Sequence, residues 1–178
     1  MMRIARRQTH EGLDEAGLEA LYRDAVADLH AYVLSVLGDR ASAEDVTALA
    51  FERLLRARGR LDPRRGTPRA LLFTIARNAA LDELRARRRR PQAELDLAAA
   101  PAAPDDDAAL LERRESVRAA LAALSPRDRE IVLLKFHGEL TNSELARALG
   151  ISESNAGTRL HRALERLREG PLATEEVA

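Results

Sequence analysis

The stretch that decides the fold runs from Thr141 to Arg168 and reads TNSELARALGISESNAGTRLHRALERLR. It opens with a capping box, in which the hydroxyl of Thr141 and the carboxylate of Glu144 satisfy each other's backbone donors at the start of a helix. Gly150 ends this helix after a few turns, and Ser152 caps a longer helix that follows directly. The stretch therefore predicts a short helix and a long helix joined by a tight turn.

The apolar positions of this stretch indicate how the two helices pack. Ala146 and Leu149 on the short helix meet Ile151 in the turn and Leu160 on the long one, so the opposite face of the long helix stays free. Such a helix-turn-helix places its second helix in a DNA major groove, where hydroxyl, amide and guanidinium groups bond phosphates and base edges. The free face carries Ser154, Asn155, Thr158, Arg159 and Arg162, with His161 beside them. A small helical bundle with a polar face would share this pattern.

The rest of the 178-residue chain also has the character of helix. Ala, Leu, Arg and Glu dominate, all of which favour helices, and runs of Val, Ile, Thr and Tyr are missing. Apolar residues recur at intervals of three and four from Glu15 to Leu37, again after Ser42, and again from Thr67-Pro68 towards Arg90. The predicted fold class is all-α: two small helical domains joined by a flexible linker, the C-terminal one a helix-turn-helix. The apolar stripes assigned to the core include Tyr22, Leu55 and Val117.

Composition divides the chain into domains. Residues 91–108 contain three Pro, many Ala and three consecutive Asp, a composition that cannot bury a core and is typical of a linker. The predicted domains are residues 15–90 and 109–170, with an N-terminal extension at 1–14, the acidic linker at 91–108 and a tail at 171–178. A taut linker of this length spans about 60 Å, so the two domains can hold separate sites.

Charge is segregated along a chain whose net charge is zero. Residues 11–52 carry ten acids and two bases, residues 53–90 carry thirteen Arg and three acids, and residues 91–112 carry six acids and no bases. A basic block of this density presents a local positive field to phosphates even in a neutral chain. Together with the helix-turn-helix, it predicts nucleic-acid binding.

Several function classes are excluded. The chain has no Cys, and its four His residues lack ligand spacing, so no metal site or other cofactor is expected. It has no Gly-rich phosphate loop and no arrangement of Ser, His and acids for nucleophilic catalysis, so it is not expected to be an enzyme. No apolar run approaches the ~18 residues of a membrane span, and no apolar region follows the basic N-terminus as in a signal peptide. The expected location is the cytoplasm.

Both halves resemble the domains of extracytoplasmic-function (ECF) RNA polymerase sigma factors, over about Leu18 to Arg168. The C-terminal half matches at Leu124-Ser-Pro-Arg-Asp-Arg-Glu-Ile-Val-Leu-Leu134, Ser143-Glu-Leu-Ala146, Leu149-Gly-Ile-Ser152 and Arg159-Leu-His-Arg-Ala163. The N-terminal half matches at Leu37-Gly-Asp-Arg40, Ala43-Glu-Asp45, Phe73-Thr-Ile-Ala-Arg-Asn78 and Leu81-Asp-Glu-Leu-Arg85. Two matches in the correct order are more specific than either alone.

The resemblance implies a factor that directs core RNA polymerase to promoter DNA. It assigns polymerase binding to Asp45, Phe51, Glu52 and Leu54 on the second helix. It assigns contact with the minus-ten element to Arg60, Arg64, Arg65, Arg77, Asn78, Asp82 and Arg85. The minus-thirty-five element falls to Ser154, Asn155, Thr158, Arg159 and Arg162. Members of this family are often held inactive by an anti-sigma protein, which is a further expected partner.

The chain departs from the family pattern at three places, and two alternatives stay open. Ala48-Leu49 stands where the family usually has Gln-Glu, Leu71 where a Trp is common, and Gly157 where a basic residue is common. One alternative is a helix-turn-helix transcriptional regulator, which would not need the matched N-terminal half. The other is a sigma-like adaptor that binds polymerase without initiating.

Overall fold

A computed structural model of the chain describes residues 13–62, 66–89 and 108–169, and the regular structure in these ranges is entirely helical. The helices are α1 (Glu15–Leu37), α2 (Arg40–Ala57), α3 (Pro68–Arg89), α4 (Ala108–Ala123), α5 (Pro126–Gly138), α6 (Asn142–Leu149) and α7 (Glu153–Glu169), with a 3-10 turn at Arg58–Arg60. The predicted all-α class, with a helix-turn-helix at its C-terminal end, is confirmed. Nearly all of the predicted linker, extension and tail lies outside the described residues, so the predicted domain limits stay predictions.

The ends of the first two helices are set by local capping. The carboxylate of Asp14 accepts the N–H of Gly17 at 2.7 Å, and Gly38 ends α1 in the left-handed conformation, with φ of 68°. The predicted start of the second helix after Ser42 is wrong. Asp39 caps α2 instead, because its carboxylate accepts the N–H of Ser42 at 2.9 Å, and this bonding to Ser42 lowers the pKa of Asp39.

Helices α1, α2 and α3 pack pairwise into the N-terminal domain. Their contact surface is apolar and includes Leu29, Leu54 and Leu72, which are wholly buried. The ring of Tyr32 on α1 meets that of Phe73 on α3 at a centroid distance of 5.6 Å. Burial of the Tyr32 hydroxyl raises its pKa well above the ordinary value. These helices form the rigid support for the exposed side chains of α2 and α3.

Helices α5, α6 and α7 form the helix-turn-helix domain. The predicted capping box is present, with the hydroxyl of Thr141 accepting the N–H of Glu144 and the Glu144 carboxylate accepting the N–H of Thr141. Gly150 turns the chain at φ of 67°, a left-handed conformation that favours glycine. The N–H of Ile151 then donates to the carbonyl of Ala146 at 3.0 Å, which fixes the turn between α6 and α7.

The two domains lie against each other through α5, which packs on α6 and α7 on one side and on α1 and α3 on the other. Four consecutive residues of α5, Ile131 to Leu134, are buried. At about 100° per residue they cover most of the helix circumference, so the helix-turn-helix alone could not bury them all. Helix α5 is therefore shared by both domains.

Three residues assigned to the core by their spacing are exposed. Tyr22, Leu55 and Val117 keep 52%, 42% and 46% of their surface accessible, so these predictions are wrong. Spacing gives the direction of a side chain on its helix but not how completely a neighbouring helix covers it. The ring of Tyr22 contacts that of Phe51 and still stays exposed. None of the helices in the described part of the chain combines the length and the apolar character that a membrane crossing requires.

Candidate nucleic-acid interface

The residues of the predicted recognition face lie together on one side of α7. The hydroxyl of Ser152 accepts the N–H of Asn155 at 3.2 Å and starts the helix, while Ala156, Leu160 and Ala163 bury the opposite side. The predicted site residues Ser154, Asn155, Thr158 and Arg162 are exposed, and Arg159 is half-buried. The helix therefore presents its hydroxyl, amide and guanidinium groups outward, as a major-groove helix must.

A shallow polar depression continues this face towards the start of α5. It is lined by Asp128, Asn155, Thr158, Arg159, Arg162 and Arg166. Arg166 donates to the carboxylate of Asp128 at 2.5 Å, so one guanidinium is neutralised and held in place. Sequence reasoning missed both residues. The position of Arg166, four residues after Arg162 and so on the same face of the helix, was a usable signal.

Gly157 lies half-buried on α7 and not on the fully exposed recognition face. A Cβ at this position would stand 3.4 Å from the Nδ2 atom of Asn142 on α6. The absence of a basic side chain here therefore leaves the exposed row of Asn155, Thr158 and Arg162 unchanged.

Helix α3 presents a second polar stripe. Asn78, Asp82 and Arg85, at spacings of four and three residues, are all exposed on one face, and Arg85 donates to Asp82 at 2.8 Å. Arg89 continues the stripe one turn further and is also exposed, although sequence reasoning did not select it. The negative charge of Asp82 offsets the positive charge of Arg85. The net positive charge of the stripe therefore comes mainly from Arg89, at the C-terminal end of α3.

Arg77 is the one predicted residue of α3 whose side chain is mostly buried, although its Nη1 atom donates to Oδ1 of Asn78 in this stripe at 3.2 Å. Only 18% of its side chain is exposed, because its Nε atom donates to the carboxylate of Glu130 on α5 at 2.8 Å. Arg64, Arg65 and the side chain of Arg60 lie outside the described part of the chain. Of the seven residues predicted to contact the minus-ten element, the structure thus brings three together on an open surface.

The Arg-rich block also contains guanidiniums that hold the fold together. Arg87 on α3 donates to Glu83, to the carbonyl of Leu37 and to Asp39, so it links α3 to the junction of α1 and α2. Only 14% of its side chain is exposed. The charge of the block is therefore only partly available to a ligand.

Helix α2 presents an acidic and apolar stripe away from the core. Of the residues predicted to bind polymerase, Asp45 and Glu52 are exposed and Phe51 is half-buried. Leu54 is wholly buried, because it points towards α1 and α3, so it supports the helix and is dropped from the contact surface. Leu55, which the sequence pattern assigned to the core, lies on the exposed side of α2 instead of Leu54.

A shallow apolar groove between α1 and α2 adjoins this stripe. The rings of Tyr22 and Phe51 pack at a centroid distance of 4.9 Å at one end, and Thr47 and His30 line the floor. The Nε2 atom of His30 is buried without a hydrogen-bond partner. The exposed part of α2 therefore combines carboxylates with a ready apolar contact. No group of metal-binding residues occurs in the described ranges.

Comparison with known proteins gives two family models that match the two halves of the chain in order. The family model described as Sigma-70 region 2 matches residues 21–90, and that described as Sigma-70, region 4 matches residues 114–167. The ECF RNA polymerase sigma factor SigL of Mycobacterium tuberculosis is 37% identical over 161 residues, covering 87% of this chain and 89% of SigL. SigK of Mycobacterium bovis is 28% identical, with 88% and 87% covered.

Solved structures share the fold. The sigma factor RpoE of Bartonella quintana, in complex with the anti-sigma factor NepR, superposes with a TM-score of 0.66 at 21% identity, covering 88% of this chain and 97% of RpoE. CnrH, in complex with the cytosolic domain of CnrY, superposes with a TM-score of 0.63 at 23% identity, covering 91% of both chains.

Proposed function

Because this chain belongs to the ECF family of RNA polymerase sigma factors, which direct core RNA polymerase to promoters, we propose that it holds promoter DNA at two separate surfaces. The observation that carries the proposal is the pairing of two exposed polar faces on different domains. One is the recognition face of α7, and the other is the stripe of α3. Each domain presents one such face, as recognition of a two-part promoter requires.

The α7 face reads the minus-thirty-five element in this proposal. Asn155 and Arg162 stand on the same exposed side as Ser154 and Thr158. Amides pair with adenine and guanidiniums with guanine in the major groove, while hydroxyls bond to either bases or phosphates. The ion pair between Arg166 and Asp128 holds a further guanidinium at the edge of this face.

The α3 stripe and the loop before it contact the minus-ten element. Asn78 and Arg85 supply polar contacts from the helix, and Arg60, Arg64 and Arg65 add charge from the loop. An opened strand is held by positive charge along its backbone together with contacts to its bases. Arg77 joins this surface only when its bond to Glu130 is released.

Core RNA polymerase binds the exposed side of α2. Asp45 and Glu52 supply carboxylates, while Leu55 and the groove beside Phe51 supply apolar area. Ala48, which stands where the family usually has Gln, is exposed within the same stripe, so this chain meets polymerase with a smaller contact there.

Three further points belong to the proposal. The chain acts in the cytoplasm, where core polymerase works, and supplies no catalytic chemistry of its own. An anti-sigma protein is a further partner, which is supported by the sigma and anti-sigma complex among the structures that share this fold.

Run-off transcription with purified core polymerase, with and without this protein, tests the function. Promoter-specific transcripts that require the protein are the expected result. DNA binding without any effect on polymerase would instead indicate a helix-turn-helix regulator. Polymerase binding without initiation would indicate an adaptor, and either of these outcomes contradicts the proposal.

A further inference from the structure

The contact between the two domains is built at the N-terminal end of α3. This end meets the corner at which α5 ends and α6 begins. Polar groups of both domains complete each other's helix ends there. The contact is therefore specific, and not only a burial of apolar area.

Arg69 on α3 forms the first half of this contact. Its Nε donates to the carbonyl of Gly138 at 3.0 Å and its Nη2 to the carbonyl of His137 at 2.7 Å. These carbonyls close α5, whose C-terminal end favours a cation. The same guanidinium donates to Asp28 on α1 at 2.7 Å and lies over the ring of Phe73. It is thus anchored in its own domain while capping a helix of the other.

Glu144 on α6 forms the second half. One carboxylate oxygen accepts the N–H of Thr67 at 3.0 Å and its hydroxyl at 2.7 Å, just before α3 begins. The other oxygen accepts the N–H and hydroxyl of Thr141 in the capping box. A single buried carboxylate therefore serves the N-terminal ends of two helices in different domains.

A third bond covers part of the promoter surface. Arg77 of α3 pairs with Glu130 of α5 at 2.8 Å, and both side chains are mostly buried, with 18% and 22% exposed. The recognition face of α7 keeps its exposure in the same arrangement. Closure therefore hides one promoter contact of the N-terminal domain and leaves the C-terminal face open.

We propose that these bonds form a reciprocal capping latch, made of Arg69 with the end of α5, Glu144 with the start of α3, and Arg77 with Glu130. The latch holds the free chain closed and must open before both promoter elements can be bound. This inference rests on the proposed function, because it describes a closed state in which the chain cannot bind both promoter elements.

The distance between the promoter elements is the reason that the latch must open. Elements about 25 base pairs apart are separated by roughly 85 Å of duplex at about 3.4 Å per pair. A compact chain of 178 residues is only roughly 40 Å across. The closed chain cannot reach both elements, whereas domains joined by the 91–108 segment can separate far enough.

Distance measurement between two spin labels tests the latch in the full chain. The chain has no Cys, so labels attach only at introduced positions. Ser35→Cys on α1 and Arg168→Cys on α7 are suitable, because both positions are exposed and lie outside the latch. The free protein should give one short distance, and saturating core polymerase should replace it with a longer one.

Arg69→Gln and Arg87→Gln form the matched pair of variants. Both remove a mostly buried guanidinium of α3 that bonds to backbone carbonyls, but the contacts of Arg87 stay within the N-terminal domain. Loss of charge-assisted bonds predicts that Arg69→Gln raises the open fraction of the free chain about tenfold. Arg87→Gln should leave the distance distribution unchanged.

Thr67→Val is a second variant, which removes the hydroxyl that donates to Glu144 and accepts the N–H of Ala70 in the first turn of α3. It should raise the open fraction several-fold in a chain that stays folded by circular dichroism. Free wild-type protein with a long distance, or Arg69→Gln and Thr67→Val with unchanged distributions, would overturn the latch. Failure of run-off transcription with normal latch distances would instead contradict the proposed function alone.

Discussion

Glu144 couples the stability of the protein to pH. Burial alone would raise its pKa, but the bonds from the backbone and hydroxyl groups of Thr141 and Thr67 lower the pKa to about 2. A carboxyl whose pKa is lower in the folded state adds stability above its unfolded value near 4.5, and this stability is lost as the pH falls towards 2. We expect Glu144→Gln to lower the free energy of unfolding at pH 7 by about 2 kcal/mol.

Urea unfolding at pH 7, 4 and 3 measures this effect. The difference between wild type and Glu144→Gln should shrink as the pH falls below about 4.5, because the wild-type carboxyl then loses its advantage. Glu19→Gln is the control, since Glu19 is an exposed carboxylate that pairs with Arg23 on the surface. It should change the stability by less than about 1 kcal/mol at every pH. A pH-independent difference for Glu144→Gln would contradict the pKa argument.

Gly157 offers a stabilising substitution. Its backbone is helical, and a Cβ would meet only the Nδ2 atom of Asn142 at 3.4 Å. Because Asn142 is exposed at the first turn of α6, its side chain can move slightly. Gly157→Ala should therefore raise the free energy of unfolding by up to about 1 kcal/mol.

Thermal unfolding of Gly157→Ala beside Gly150→Ala checks the effect. Gly150 has a φ of 67°, so alanine there is strained and should lower the melting temperature although nothing stands within 4 Å of its added Cβ. A lower melting temperature for Gly157→Ala as well would mean that Asn142 cannot adjust.

At the level of elements, two adjacent leucines of α2 have different roles: one packs in the core and the other lies on the proposed polymerase surface. Leu54 is wholly buried, whereas Leu55 is 42% exposed. Leu54→Ala should lower the free energy of unfolding by about 2–5 kcal/mol, because it leaves a cavity between the helices. Leu55→Ala should cost about 0.5 kcal/mol or less but weaken binding to core polymerase about tenfold.

Urea unfolding and a binding titration with core polymerase distinguish the two leucine variants. The proposed polymerase surface predicts that the more stable variant, Leu55→Ala, binds less tightly than wild type. Wild-type affinity of Leu55→Ala would show that the exposed side of α2 is not the contact.

Most elements could be predicted from the sequence because their ends are encoded locally. Gly38, Ser125 and Thr141 each mark a helix end by capping, and the structure places ends at all three. Ser42 failed as a marker because Asp39, three residues earlier, already caps the helix by accepting the N–H of Ser42. Two good caps within one turn cannot be ranked by residue type alone.

The functional surfaces could be predicted less completely, since exposure depends on neighbouring helices. The face of α7 was found because a helix-turn-helix buries its other side in a known way. In contrast, Arg77 and Arg87 have the same residue type as the exposed Arg85, and only tertiary contacts distinguish them. The thirteen Arg of the basic block indicate a polyanion partner but do not show which of them stabilise the fold.

For the whole molecule, segregated charge predicts binding to promoter DNA that weakens as salt rises. Each phosphate contact contributes about 0.9 to the slope of log affinity against log salt. The binding measured is that of upstream promoter DNA to the complex of polymerase with this factor. Arg162→Ala removes an exposed guanidinium of α7 and should lower the magnitude of the salt slope by about 1.

Arg23→Ala is the control for the salt slope, because Arg23 is also exposed but lies on α1 among acids. It should leave the slope unchanged, as measured by fluorescence anisotropy between about 50 and 200 mM salt. An unchanged slope for Arg162→Ala would remove Arg162 from the phosphate contacts without affecting the assignment to the family.

The closed arrangement of the two domains was not predicted from the sequence. A signal was present in Ile131-Val-Leu-Leu134, since four consecutive apolar residues exceed what one neighbouring layer can bury. Sequence patterns give the width of an apolar surface, but not whether its second neighbour is another domain of the same chain or a different protein.

The burial of Ile131 to Leu134 on α5 between the two domains has a cost for the separated chain. Once the N-terminal domain moves away, a strip of aliphatic surface meets water and favours contact with a second opened molecule. Opened protein without polymerase should therefore self-associate, so that light scattering grows with protein concentration. Self-association, as well as the rate of synthesis, then limits the concentration of this factor that a cell can maintain without bound polymerase.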